Sequence, residues 1–263
     1  MNYIGIRGHR GAGKNSVSYL LGNTIDHLIC NGEKGFEECY NAWVDNIMTS
    51  EQVLHECSLQ YVYFDAFSDT LKMFIELLLG CKREYLYFDY YKDHTIVNIK
   101  DFSYKVYDEI PNNLKILSKD ELYAKMPKES QPTTITKNLY ITLRDFILYF
   151  GMDVMQRYFG LNVWVKSLKS NESTFESMFN DDDCYKIYTD VKTPSEVTYI
   201  KDKNGIIIKV VRTSNKKGDK GFDKLSNDNR YDYMVKVNGN LYELKDEILN
   251  IAKQIINNDK SKI

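Results

Sequence analysis

The 263-residue chain is 43% hydrophobic and 27% charged, long enough to bury a full core as one large α/β domain or two small ones, and one domain is the expectation. A formal net charge of -2 supplies no basic excess for sequence-independent binding to nucleic acid, and no stretch of about 18 apolar residues occurs that would cross a membrane. Five cysteines without a CxxC pair point to neither a disulfide framework nor a zinc site, so a reduced, unexported cytoplasmic chain is expected.

The N-terminal run Asn2 to Arg7 is apolar and ends in glycines, and Val17, Leu20, Leu21, Ile25, Leu28 and Ile29 then recur at helical spacing. A helix is expected around Glu37 to Met48 and another after Ser50, with Trp43 and Val44 in the core. Tyr61 to Phe67 reads as a second strand, followed by a helix capped by Ser68 and stopped at Gly80. Residues 82 to 140, rich in Tyr, Lys and Asp, read as an insertion of short helices and loops, with the aromatic stretch Tyr85 to Tyr91 packing it or forming a dimer face.

Thr142 to Leu168 carries a helix or helix pair broken near Gly151 and Gly160. Tyr185 to Tyr188, Gly205 to Arg212 and Tyr233 to Val237 read as three more strands. The polar, lysine-rich residues 213 to 230 form a lid-like loop, Asn238-Gly239-Asn240 a turn, and Leu241 to Ile256 a closing helix. The alternation implies a doubly wound, mainly parallel five-stranded sheet with its ligand at the strands' C-terminal ends.

Between the first strand and helix lies Gly8-His9-Arg10-Gly11-Ala12-Gly13-Lys14-Asn15-Ser16. Glycines at this spacing let successive amides turn toward phosphate oxygens at a helix N-terminus, while a lysine neutralises the β/γ charge. This is the pattern of a P-loop, with the Gly11 to Ser16 amides on the α/β-phosphates and Lys14 on the β/γ-phosphates of ATP. Asn15 occupies the usual hydroxyl position and Ser16 follows one place later, so Ser16 is the candidate magnesium ligand, directly or through water.

Other candidates follow from position. Asp190, at the end of a buried strand, can hold magnesium or its water shell, or simply cap the strand or pair with Arg144 or Arg157. Lys72 opposes the dipole of the helix it opens unless an anion is near. Asp65 ends the second strand, where it can meet the acceptor's sugar or act as a buried cap. Arg212 can bring charge over the transferring group or belong to a solvated loop, and Asn238 follows the last strand, where P-loop kinases commonly seat adenine, or forms a plain Asn-Gly turn. His9 within the loop can touch a γ-phosphate or simply face solvent.

Four blocks occur in an ordered series: Phe64 to Lys72 (FDAFSDTLK); Leu143 to Gly151 (LRDFILYFG) with Arg157 and Val163-Trp164-Val165; Thr189 to Glu196 (TDVKTPSE); and the apolar strand ending in Arg212. With the C-terminal strand, Asn-x-Gly-like turn and helix from Asp232 to Leu244, the series resembles the deoxynucleoside-monophosphate kinases of tailed phages and their bacterial relatives. The resemblance spans most of the chain except residues 30 to 60 and 85 to 138. It implies a three-layer P-loop kinase fold with a helical acceptor-side insertion, a homodimer, and ATP- and Mg-dependent phosphorylation of a deoxynucleoside monophosphate. It places Arg144, Arg157, Tyr149 and Lys192 near the acceptor. Lys192 stands where the family has Arg, which removes a bidentate fork, Tyr149 where Gln is common, and the family's late His-x-Ser-Glu stretch is missing from Gly221 to Asn229.

Two alternatives remain open on the sequence. One is a P-loop kinase for a modified-base nucleotide or a nucleoside hydroxyl, for which Asp65 supplies a base. The other is a non-catalytic nucleotide-binding protein, against which Lys14, Arg157, Asp190 and Arg212 argue together.

Overall fold

The computed structural model describes residues 1–49, 59–125, 135, 137–160, 162–168, 184–212 and 228–260. In chain order the strands are β1 (Asn2–Arg7), β2 (Val62–Asp65), β3 (Thr95–Asn98), β4 (Tyr104–Val106), β5 (Ile116–Leu117), β6 (Tyr140–Thr142), β7 (Tyr185–Val191), β8 (Ile206–Arg212) and β9 (Tyr233–Val237). The helices used below are α1 (Lys14–Asn31), α2 (Phe36–Thr49), α3 (Asp69–Leu79), α4 (Asp89–His94), α5 (Lys119–Lys125), α6 (Leu143–Leu148), α7 (Gln156–Phe159), α8 (Pro194–Asp202) and α9 (Lys245–Lys260). The chain divides into two compact units, Met1–Phe67 with Leu168–Ile263, and Ser68–Ser167.

The first unit is an α/β layer structure around an all-parallel five-stranded sheet of order β2-β7-β1-β8-β9. Side chains alternate across a strand. Ile4 and Ile6 therefore face one layer, where they are fully buried with Leu20, Leu21 and Ile25 of α1, Tyr40 and Val44 of α2, and Ile248 and Ala252 of α9. Gly5 faces the opposite layer, where a Cβ would lie 2.5 Å from Ile200 of α8. Both faces are covered, which is why β1 and β7 are buried almost throughout and β8 is largely apolar. The five expected strands are present, and β7 runs three residues beyond the expected end, to Val191. The helix expected after Ser50 and the loop at 213–227 lie outside the described residues.

The second unit corrects the expectation of helices and loops alone over 82 to 140. A mixed four-stranded sheet of order β4-β3-β6-β5 forms its centre. These strands are only two to four residues long, too short to show period-2 alternation. Their core holds Val97, Ile141, Leu143, Phe146 and Leu86 with Ile75 of α3. The aromatic stretch packs internally, with Tyr85 4.6 Å from Tyr91 between ring centroids.

The expected helix break near Gly151 is also corrected. The chain stays helical from Leu143 to Phe159, passing through a π-helical segment at Tyr149–Met155, and stops at Gly160, whose φ of 93° is left-handed. Gly151 serves packing, since a Cβ there would fall 2.4 Å from Leu71 Cδ2.

Candidate functional site

The glycine loop leaves β1 at Arg7 and enters α1 at Lys14. At Gly8 a Cβ would stand 2.4 Å from the carbonyl oxygen of Val210 on β8, a backbone atom that cannot swing aside. Gly11 and Gly13 adopt φ values of 73° and 92°, the left-handed region that side chains disfavour, and the space on the Cβ side of Gly11 is open to 4 Å. The amide of Ala12 donates to His9 O at 3.1 Å and that of Val17 to Gly13 O at 2.9 Å, which starts the helix.

Two cations close on this loop. Lys14 Nζ donates to the carbonyls of Gly8 and His9, each at 2.9 Å, and Arg212 Nη1 donates to Gly11 O at 3.0 Å. Helix N-terminal amides, an ammonium and a guanidinium on one open glycine turn suit a cluster of anionic oxygens. Ser16 is part-buried on the first turn of α1 and Asn15 is exposed. Val237, the last residue of β9, packs 3.6 Å from where a Gly13 Cβ would be, so Asn238 follows directly beside the loop. Its side chain is engaged: the amide donates to Glu243 and the carbonyl accepts Asn240 N at 3.0 Å. His9 is exposed.

At the end of β7, Asp190 Oδ1 accepts the amide of Phe67 at 2.7 Å and Oδ2 accepts Lys192 Nζ at 3.2 Å. Asp190 thus ties the chain two residues beyond β2 to the end of β7. Asp65 Oδ1 accepts the amide of Ala66 at 2.8 Å, and its Oδ2 lies 2.9 Å from Lys186 Nζ. Lys186 is buried within β7, so Asp65 balances an interior charge.

The turn after β7 is held by Glu196, whose Oε2 accepts the amides of Lys192 at 2.6 Å and Thr193 at 2.9 Å. Thr193 and Glu196 form a capping box on α8, with Pro194 opening the helix. Burial and the nearby Asp190 charge push the Glu196 carboxyl up to about 7, against the lowering effect of the amides and Lys192.

The remaining candidates belong to the second unit. Lys72 Nζ donates to Asp69 Oδ1 at 2.9 Å and stands 4.0 Å from the centroid of the Tyr87 ring. Arg144 binds two carboxylates one turn apart on α4, donating to Asp93 Oδ2 at 2.9 Å and lying 3.0 Å from Asp89 Oδ1. Arg157 is exposed and donates to Tyr123 Oη at 2.9 Å. Tyr149 is half-buried, and burial with the Asp153 charge raises its phenol above the ordinary value.

Three basic residues outside the candidate set carry structural weight. Arg7, 1% exposed, ends β1 and pairs with Asp228 at 3.7 Å. Lys186 interrupts an apolar strand, the one pattern-level sign of a buried charge. Lys92 lies in the stretch with no readable periodicity.

Among the described residues no group of three or more His, Cys, Asp or Glu is placed to hold a metal ion. A nucleotide-bound magnesium takes most of its ligands from phosphate and water, a role that Ser16 and Asp190 can complete.

No protein-family model and no curated protein sequence matches the chain.

Proposed function

We propose that the protein is a P-loop kinase that transfers the γ-phosphoryl group of ATP to a deoxynucleoside monophosphate. The observation that carries this reading is the glycine turn between β1 and α1, on whose carbonyls Lys14 and Arg212 both rest. Phosphoryl transfer between two phosphates needs no strong base, because the acceptor oxygen is already an anion; it needs charge neutralisation and alignment. Lys14 would meet the β/γ-phosphates, the Gly11 to Ser16 amides the α/β-phosphates, and Arg212 the group in transit. Magnesium, when bound, supplies neutralising charge on the phosphates, and Ser16 and Asp190 are the residues that would hold it or its waters.

Asp65 bears on the acceptor. A hydroxyl acceptor requires a carboxylate free to take a proton. Asp65 instead balances the buried Lys186 ammonium, which favours a monophosphate acceptor over a nucleoside. Lys72, Arg144, Arg157, Tyr149 and Lys192 remain the acceptor-side candidates, and the homodimer stays an implication of the family likeness.

A coupled assay of ADP release tests the reading across the common deoxynucleoside monophosphates, hydroxymethylated forms and nucleosides. ATP consumption is expected only when a deoxynucleoside monophosphate is added. ATP binding without turnover on any acceptor would overturn it.

A further inference from the structure

Lys72, Lys92 and Arg144 come together in the second unit through shared partners. Lys92 Nζ lies 3.2 Å from Asp89 Oδ1, the same oxygen that lies 3.0 Å from Arg144 Nη2. Lys92 Nζ also donates to the carbonyl of Tyr87 at 2.8 Å, while Lys72 Nζ sits over the ring of that tyrosine. Asp69 Oδ1 closes the array, accepting both Lys72 and the Tyr87 hydroxyl.

The burial order in this array is unusual. Lysine normally holds its ammonium at the surface, yet the side chains of Lys72, Lys92 and Arg144 are 16%, 17% and 16% exposed, while their partners Asp69, Asp89 and Asp93 are 33%, 70% and 48% exposed. The cations form the inner layer and the carboxylates the outer one. Asp89 and Asp93 are about half or more exposed, so water can solvate these carboxylates when an incoming anion takes their place on the cations. A phosphate monoester carries close to two charges and three acceptor oxygens, which matches three inward cations better than single carboxylates do.

We infer that Lys92, together with Lys72 and Arg144, forms a subsite for the phosphate monoester of the acceptor nucleotide. This rests on the kinase reading, and it adds a binding residue from the segment whose sequence gave no motif. The electrostatics agree: burial, Lys72 and Arg144 together pull the Lys92 ammonium down to about 8, despite the opposing Asp89. A bound dianion would restore its charge, so binding takes up a proton where free Lys92 is neutral.

The experiment is a calorimetric titration of the wild type, Lys92→Gln and Lys92→Arg with ATP, each of the common deoxynucleoside monophosphates, inorganic phosphate and the matching deoxynucleosides. Titrations at pH 7.5 and pH 9.0 keep the monoester fully ionised throughout. Loss of one charge-assisted contact should weaken monophosphate binding in Lys92→Gln roughly tenfold or more. Deoxynucleoside binding should be unchanged. Wild-type affinity should fall between the two pH values, whereas Lys92→Arg, which stays charged, should bind near wild-type strength and lose that pH dependence. If Lys92→Gln does not fold by circular dichroism, the pH comparison of the wild type with Lys92→Arg still decides.

A wild type that binds a monophosphate, with equal affinity in Lys92→Gln or the same pH profile in Lys92→Arg, would overturn the subsite and leave the kinase reading standing. A wild type that binds ATP but no monophosphate overturns both. Inorganic phosphate bound as tightly as any nucleotide, with the same dependence on Lys92, would assign the site to a free anion and overturn its acceptor role.

Discussion

Asp190 accepts the backbone amide of Phe67 at 2.7 Å, so the end of β7 is fastened to the first residues after its neighbour β2. Phe67 is 1% exposed, and its amide depends on that carboxylate for a partner. Asp190→Ala should cost about 1–3 kcal/mol, the desolvation penalty of an orphaned buried donor. Asp190→Asn keeps an acceptor and should cost less, while still removing the charge a metal-bound water would use. Chemical denaturation of both variants alongside ADP release checks this, and equal stability of the two would show that the tie contributes nothing.

Lys14→Ala removes contacts to two loop carbonyls, one of them solvent-exposed. Thermal stability should therefore change little. Monophosphate-dependent ADP release should be lost, since nothing else on the loop supplies an ammonium to the β/γ-phosphates. Retained turnover in a folded Lys14→Ala protein would remove the nucleotide assignment from this loop.

Gly8→Ala sets a methyl group against the Val210 carbonyl. Relief requires backbone movement of either the loop or β8, at a cost of about 1–3 kcal/mol or more. ATP affinity should fall with stability, because the loop that moves is the one proposed to hold phosphate. A melting curve and an ATP titration read the two effects separately.

Glu196 gives the protein a pH-dependent stability of definite sign. Its folded-state value of about 7 lies above the ordinary 4.5. The native state therefore binds this proton more tightly than the unfolded chain does. The stabilisation is fully present below the ordinary value and disappears as pH rises through about 7. Glu196→Gln keeps an acceptor for the Lys192 and Thr193 amides without the titration. Relative to that variant, the wild type should lose on the order of 2 kcal/mol between pH 5 and pH 8. Parallel melts across that range test it, and a constant difference would show that the carboxyl titrates normally.

The sheet of the first unit was legible because β1, β7 and β8 run six or seven residues and the shorter β2 lies within a β-branched and aromatic run. Gly80 was readable as a helix stop, and it takes a left-handed φ of 62° with its amide on Glu76 O. The glycine loop was legible because its chemistry lies in consecutive residues. The partners of Asp65 and Asp190 were not, since pairing Lys186 with Asp65 across β7 and β2 depends on register. Strands of two to four residues in the second unit carry too little pattern to separate from loops. Lys92 shows the same limit: its partners Tyr87 and Asp89 are close in the chain, but Arg144, on the other side of Asp89, is far away in sequence.

The strand order also bears on how the protein is made. β1 is synthesised before every other strand of its sheet, yet both of its hydrogen-bonded neighbours, β7 and β8, come from residues 185–212. The intervening Ser68–Ser167 unit is continuous in sequence and completes its own sheet. On a ribosome, where domains form as their residues emerge, this later-encoded unit can close first. β1 and the glycine loop meanwhile wait, with their pairing edges open, for the last third of the chain. Parallel pairing over such a separation is intrinsically slow, so the five-stranded sheet can close only after residues 185–237 have emerged.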